Sequence, residues 1–304
     1  MIKEHDVVIV GGGIAGLTCA KYLDLANIDY VILSKLLGGN LFNATTIYNF
    51  PTYNKIEGSI LATQMVENTN KDKIEFDEVI KYKDRVVTCI SGDKYEGKAI
   101  VLALGSNPVK LNIDAPEDAV FYCSICDGYK FKNRDVIVLG GSESAVQTAL
   151  YLSAICKSVT IAFRKHELKT TEYSKRLITL KDNIFLMRDR EIKSIKKLNS
   201  SFAFTFNNTG EIENNTTTTV IADGCFVCFG NKPATELLIG SDVVLDENGY
   251  IVHGDGVVKP YTETSEYGAF AAGDCLQGVY HQLSIAAGNG ATCALDVIKY
   301  LEGK

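Results

Sequence analysis

The chain of 304 residues reads as an α/β protein in two parts, the second inserted into the first. Three observations predict this. A glycine-rich turn, Gly11-x-Gly13-x-x-Gly16, follows an apolar run near the start. A similar turn begins at Gly140, after another apolar run. A third apolar run ends at Gly273-Asp274, so the C-terminal segment completes what the N-terminal segment begins. Strand, tight glycine turn and helix in that order make the unit that cradles a dinucleotide. The predicted class is therefore two Rossmann-like, three-layer dinucleotide-binding domains. The first comprises residues 1–112 and 243–304, and the inserted second comprises 113–242.

Each element has its own warrant. Residues 6–10 form an apolar run that reads as a fully buried strand; the glycine turn and a helix to about residue 25 follow, then a strand at 30–33. Residues 99–104 are another buried strand. Residues 112–118, rich in Asp, Pro and Glu, read as a linker. A second strand–helix–strand unit spans 135–139, 143–155 and 158–163. Residues 190–222 alternate and are rich in Asn, Thr and Lys, which predicts a small antiparallel arm. Residues 225–229 read as a buried strand, and the chain crosses back near 240–242. A strand at 269–272 and a helix at 284–301 close the first domain.

Composition narrows the function. Hydrophobic content is 46%, charged content 22% and net charge −6, as in ordinary globular proteins. The acidity argues against nucleic acid or an anionic membrane as main partner. No run approaches the roughly 18 apolar residues of a membrane span. Residues 7–20 superficially resemble a signal-peptide core, but they follow Glu4 and Asp6 and are broken by Gly11, Gly12 and Gly13. The nine cysteines, mostly in apolar runs, then read as reduced thiols of a cytoplasmic protein.

The stretch Cys123-Ser124-Ile125-Cys126-Asp127-Gly128 carries the chemistry. Two cysteines at this spacing can close a small disulfide; one thiolate attacks a partner's disulfide and the other resolves the product. Asp127 can move a proton. The alternative is half of a zinc site, completed by Cys225 and Cys228. Those two lie far along the chain on a predicted strand and read as core cysteines, so the redox reading is favoured. In the first glycine turn, Gly11 permits the bend, Gly13 lets a phosphate approach and Gly16 lets helix pack on strand. The acid expected at the end of the second strand is missing; Ser34-Lys35 stand there. Asp274 reads either as a ligand to a cofactor hydroxyl or as a capping residue, and the first motif favours the ligand.

Together these features resemble the low-molecular-weight flavin thioredoxin reductases, over nearly the whole chain. CSICDG resembles their redox motif, GGGIAG their FAD loop, and residues 262–274 their second FAD signature. Gly38-Gly39-Asn40-Leu41 resembles their GGQL turn, Asn49-Phe50-Pro51 their N-[WF]-P, and Tyr280-His281-Gln282 their YRQ, with His for Arg. The resemblance implies a homodimer that binds FAD through Gly11, Gly13, Ile14, Ala15, Gly16, Gly39, Asn40, Leu41, Asn49, Gly105, Gly273, Asp274, His281 and Gln282. It also implies that Cys126 faces the flavin, Cys123 attacks thioredoxin, Asp127 is the acid/base, and the inserted domain rotates between flavin and partner.

Departures from the family concern NADPH. Its G-x-G-x-x-A loop reads Gly140-Gly141-Ser142-Glu143-Ser144-Ala145 here, so Ser142 adds a Cβ where the pyrophosphate should approach. The HRRxxxR clamp for the 2′-phosphate reads Phe163-Arg164-Lys165-His166-Glu167-Leu168-Lys169. Lysine gives no bidentate contact, and one lost charge-assisted hydrogen bond costs roughly 1.5–3 kcal/mol, about tenfold to a hundredfold in affinity. The chain is similar to the ferredoxin-dependent branch, which lacks both motifs. This favours reduced ferredoxin over NADPH as donor. An oxygen-using dithiol oxidase and a non-catalytic nucleotide sensor are further alternatives; intact Cys123, Cys126 and Asp127 argue against the sensor.

Overall fold

The computed structural model describes residues 2–43, 47, 50–210 and 216–303, with the side chains of all but Asn43 and Cys126. In chain order the first elements are β1 (Ile2–Val10), α1 (Ile14–Leu25), β2 (Tyr30–Leu33), α2 (Gly58–Glu67), β3 (Ile74–Glu75), β4 (Val79–Lys83), β5 (Val86–Cys89), β6 (Lys94–Leu102) and β7 (Ser106–Pro108). Next come β8 (Val120–Phe121), α3 (Ser124–Asp127), β9 (Asp135–Leu139), α4 (Glu143–Ser153), β10 (Ser158–Ala162), α5 (Glu172–Thr179) and β11 (Ile184–Met187). They are followed by β12 (Arg190–Lys197), β13 (Phe202–Asn208), β14 (Thr217–Ala222), β15 (Gly224–Val227), β16 (Asn231–Pro233), β17 (Ala269–Ala271) and α6 (Leu283–Leu301).

The chain divides into two compact units. One is Met1–Asn107 with Lys232–Lys304; the other is Pro108–Asn231. The division falls at 107/108 and 231/232, not at 112/113 and 242/243 as the sequence reading placed it. The Asp-, Pro- and Glu-rich residues 112–118 read as a linker in sequence. Ile113 and Ala115 of that stretch, with Leu111 just before it, instead pack on the second unit's core.

In the first unit a seven-stranded sheet runs β3-β2-β1-β6-β5-β4, with β17 also on β6. β1 pairs in parallel with β2 and β6, and β17 in parallel with β6. β1 is longer than its apolar part because Ile2 to His5 pair with Lys94 to Gly97, beyond the apolar run. Val7, Val8, Ile9 and Val10 are all buried, as a central parallel strand requires. The β4–β5 hairpin turns at Asp84 and Arg85, both at positive φ (53° and 59°).

In the second unit the parallel sheet runs β11-β10-β9-β15-β8. Ala145, Val146, Ala149 and Leu152 of α4 cover one face, against Val136, Val138, Val159 and Ile161. The predicted antiparallel arm is the three-stranded sheet β12-β13-β14, and it supplies the other layer. Phe202, Phe204 and Phe206 pack there with Ile137, Leu139, Cys225 and Val227. Burying one such ring contributes about 1.5–3 kcal/mol. The expected helix 143–155 stops at Ser153, and the expected strand 225–229 runs Gly224–Val227.

Candidate functional site

The first unit gathers its candidate residues around Ala15, on the opening turn of α1. Gly11 sits at φ +109°, and a Cβ there would lie 2.3 Å from Ala103 O. A Cβ on Gly16 would lie 2.0 Å from Gly11 O, so helix and turn touch backbone to backbone. Gly13 caps α1 without any side-chain cap bond, and a Cβ on it would meet nothing within 4 Å. The helix therefore ends in uncapped N–H groups below open space, with no acidic residue in its first turn.

Three other segments meet this turn. Gly39 lies over Gly13: its Cβ would stand 3.2 Å from Gly13 Cα. Beside it Asn40 Nδ2 donates to Ser106 O at 2.7 Å, and Leu41 is buried. Gly273, at φ +81°, faces Ala15 Cβ at 2.9 Å and Ala286 Cβ at 3.7 Å from its would-be Cβ. A Cβ on Gly290 of α6 would lie 2.2 Å from Ala15 O. Gln282, the N-cap of α6, makes no side-chain cap bond. Ile14 is buried as the first residue of α1, and Gly105, at φ +70°, borders open space. Burial pushes the Asp274 carboxyl up, and nearby His281 opposes the shift. Asn49 lies outside the described residues.

These features fit a flavin dinucleotide. Gly13 leaves a cradle that a side chain would fill, at the uncapped N-terminus of α1, which attracts anions. Sequence reading missed two residues that build this site. Tyr250 packs on His281, ring centroids 5.7 Å apart and tilted 32°. Asp296 accepts hydrogen bonds from Thr262 N–H (3.1 Å) and Oγ1 (2.7 Å), fastening the start of the 262–274 segment to α6. No local motif marks either residue.

The second unit holds the dithiol segment. Cys123 is disulfide-bonded, and the other seven described cysteines are free. Cys126 lies in α3, a single turn. Asp127 N–H donates to Cys123 O at 3.0 Å, closing that turn. The Asp127 side chain is buried, and Lys130 Nζ donates to its Oδ1 at 2.9 Å. Ser124 Oγ reaches Thr148 Oγ1 at 3.5 Å.

Cys225 and Cys228 part company. Cys225 is a core cysteine, and burial pushes its thiol up. Cys228 lies past the end of β15 rather than within it. It is half-buried, and its Sγ donates to Thr148 Oγ1 at 3.5 Å. Among the described residues no three His, Cys, Asp or Glu side chains could hold a metal ion, and no helix is long and apolar enough to cross a membrane.

The second glycine turn keeps its bend. Gly140 is at φ +140°, with its would-be Cβ 2.6 Å from Cys228 O. Phe163 packs against Gly141, whose Cβ would lie 3.0 Å from Phe163 Cβ. Arg164 Nη1 faces Glu191 at 3.4 Å, and His166 Nδ1 faces Asp189 at 3.0 Å.

Residues 5–290 match the family model described as pyridine nucleotide-disulphide oxidoreductase, and the chain belongs to that family. Within it, the chain is a flavin-dependent disulfide oxidoreductase of the low-molecular-weight thioredoxin reductase type. A thioredoxin reductase of Streptomyces clavuligerus is 31% identical over 318 residues, covering 99% of this chain and 95% of that one. A 34.2 kDa protein in the rubredoxin operon of Clostridium pasteurianum is 33% identical over 313 residues and 99% of each chain. The crystal structure of thioredoxin reductase from Streptococcus pyogenes superposes over the whole of both chains, with TM-score 0.82 and 28% identity.

Proposed function

We propose that the protein reduces the disulfide of thioredoxin through a Cys123–Cys126 dithiol, with electrons from reduced ferredoxin. The observation that carries this reading is the disulfide at Cys123, one residue before the turn that holds Cys126 and the buried Asp127. FAD would lie along Gly11, Gly13, Ile14, Ala15 and Gly16. Gly39, Asn40, Leu41, Asn49 and Gly105 would line it, and Gly273, Asp274, His281 and Gln282 would hold its far end. Bound there, it supplies a carrier that takes electrons singly and releases them as a pair.

The chain's own groups then do the disulfide chemistry. The Cys123 thiolate attacks one sulfur of the thioredoxin disulfide, forming a mixed disulfide and expelling a thiolate. Asp127 moves the proton that this thiolate takes up. The Cys126 thiolate next attacks Cys123 Sγ, releases thioredoxin's second thiol and restores the Cys123–Cys126 disulfide. Two electrons from two reduced ferredoxins and two protons balance the cycle. The working form is a homodimer in the cytoplasm, each chain with the inserted domain carrying the dithiol.

Ferredoxin is favoured because the nucleotide turn carries Ser142, Phe163 covers Gly141, and Arg164 faces Glu191. The second reading, an NADPH-dependent reductase, draws support from the retained bend at Gly140 and the cations at Lys165 and Lys169. Anaerobic mixing decides between them. Reduced ferredoxin is expected to bleach the flavin absorbance quickly, and NADPH at micromolar concentration slowly or not at all. Fast bleaching by NADPH alone would establish the second reading.

A further inference from the structure

The segment after β10 is fastened to the second glycine turn. Lys169 N–H donates to Gly141 O at 2.7 Å, and Ser142 and Lys169 pair as a parallel bridge. Phe163, 3% exposed, packs on Gly141 from the same segment. Glu143, the first residue of α4, then reaches the start of α5. Its carboxylate accepts from Thr170 Oγ1, from Thr171 N–H at 3.1 Å, from Ser174 Oγ at 2.6 Å and from Gln147 Nε2 at 2.7 Å. Thr171 is itself the N-cap of α5, accepting from Ser174 N–H at 3.1 Å. Four donors favour the ionised carboxyl: Ser174 first, then Thr170 and Gln147, hold it down to about 2. One side chain thus ties the opening turn of α4 to the opening turn of α5.

We propose that Glu143 is a specificity-determining residue that pins residues 169–174 along the Gly140–Ser142 turn and so excludes nicotinamide dinucleotides from this unit. The proposal rests on the reading that NADPH is not the donor. Two effects act together. An anion fixed in the first turn of α4 uses the field that would attract a pyrophosphate and repels a second anion there. A dinucleotide lying on the turn must also lift the pinned segment, which breaks charge-assisted bonds at Glu143 and the Lys169–Gly141 bond. Acidity at this position is by itself tolerable; the four bonds distinguish Glu143.

The test compares three holoproteins by NADPH titration and, separately, by flavin reduction. They are the unmodified chain, the variant Ser142→Gly/Phe163→His/Lys165→Arg/Lys169→Arg, and that variant with Glu143→Ala. The four changes alone are expected to raise NADPH affinity less than about tenfold, and Glu143→Ala to add at least about tenfold more. If Glu143→Ala fails to fold, Thr170→Val with Ser174→Ala removes two of the same bonds from the other side and is expected to act in the same direction. Equal affinity with and without these bonds overturns the proposal. Micromolar NADPH binding by the unmodified chain overturns both the proposal and the reading beneath it, since the pinned segment would then exclude nothing.

Discussion

Cys126→Ser is expected to lower thioredoxin turnover by at least about a thousandfold and to trap thioredoxin on Cys123 as a stable mixed disulfide. Without its resolving thiol, the attacking sulfur has no intramolecular route back, and release waits on an external thiol. Cys123→Ser is expected to abolish turnover equally, yet to behave differently in absorbance. The remaining Cys126 thiolate would stand beside the flavin and add a long-wavelength band, whereas Cys126→Ser shows none. Mass spectrometry of the trapped complex and the absorbance spectrum read the two roles independently. The reverse pattern would exchange the assignments of Cys123 and Cys126.

Gly11→Ala and Gly13→Ala are expected to fail in different ways. At Gly11 the new Cβ meets Ala103 O at 2.3 Å with φ at +109°, so backbone must move. A loss of about 3 kcal/mol or more in stability is expected, with loss of bound flavin. At Gly13 the backbone is ordinary (φ −77°, ψ −175°) and the space above is open. The fold should change by less than about 1 kcal/mol, since alanine is only a poorer N-cap. Flavin retention should nonetheless fall at least about tenfold, because the methyl enters the space where a phosphate must approach. Thermal melts of the apoprotein and flavin content of the purified protein separate the two effects. Full flavin retention in Gly13→Ala would remove the pyrophosphate from this turn.

The strand–glycine–helix units were legible because their signals are local. Buried parallel strands are continuous apolar runs, and the glycine spacing follows from contacts within one turn. The β4–β5 hairpin was not legible, for a physical reason. Both its central residues adopt positive φ, a conformation usually marked by Asn-Gly, but here Asp84 and Arg85 hold it. Cys228 falls just past β15, yet its N–H still donates to Leu139 O at 2.8 Å and its side chain packs against the second unit's core, so strand and strand end carry the same apolar signal. In the candidate flavin site the glycines were readable, but Tyr250 and Asp296 were not, since their partners lie far along the chain. Glu143 stood in plain view beside its glycine turn. Its significance comes from Thr170, Thr171 and Ser174, which only the fold brings to it.

The most direct test of the whole account counts thiols. Reduced ferredoxin, catalytic amounts of this protein and excess oxidised thioredoxin are mixed under argon, and thioredoxin thiols are titrated against ferredoxin oxidised. The account predicts two thioredoxin thiols for every two ferredoxins oxidised, with none formed when Cys123 is replaced by Ser. Ferredoxin oxidation without thiol formation, or full turnover with micromolar NADPH in place of ferredoxin, would contradict it.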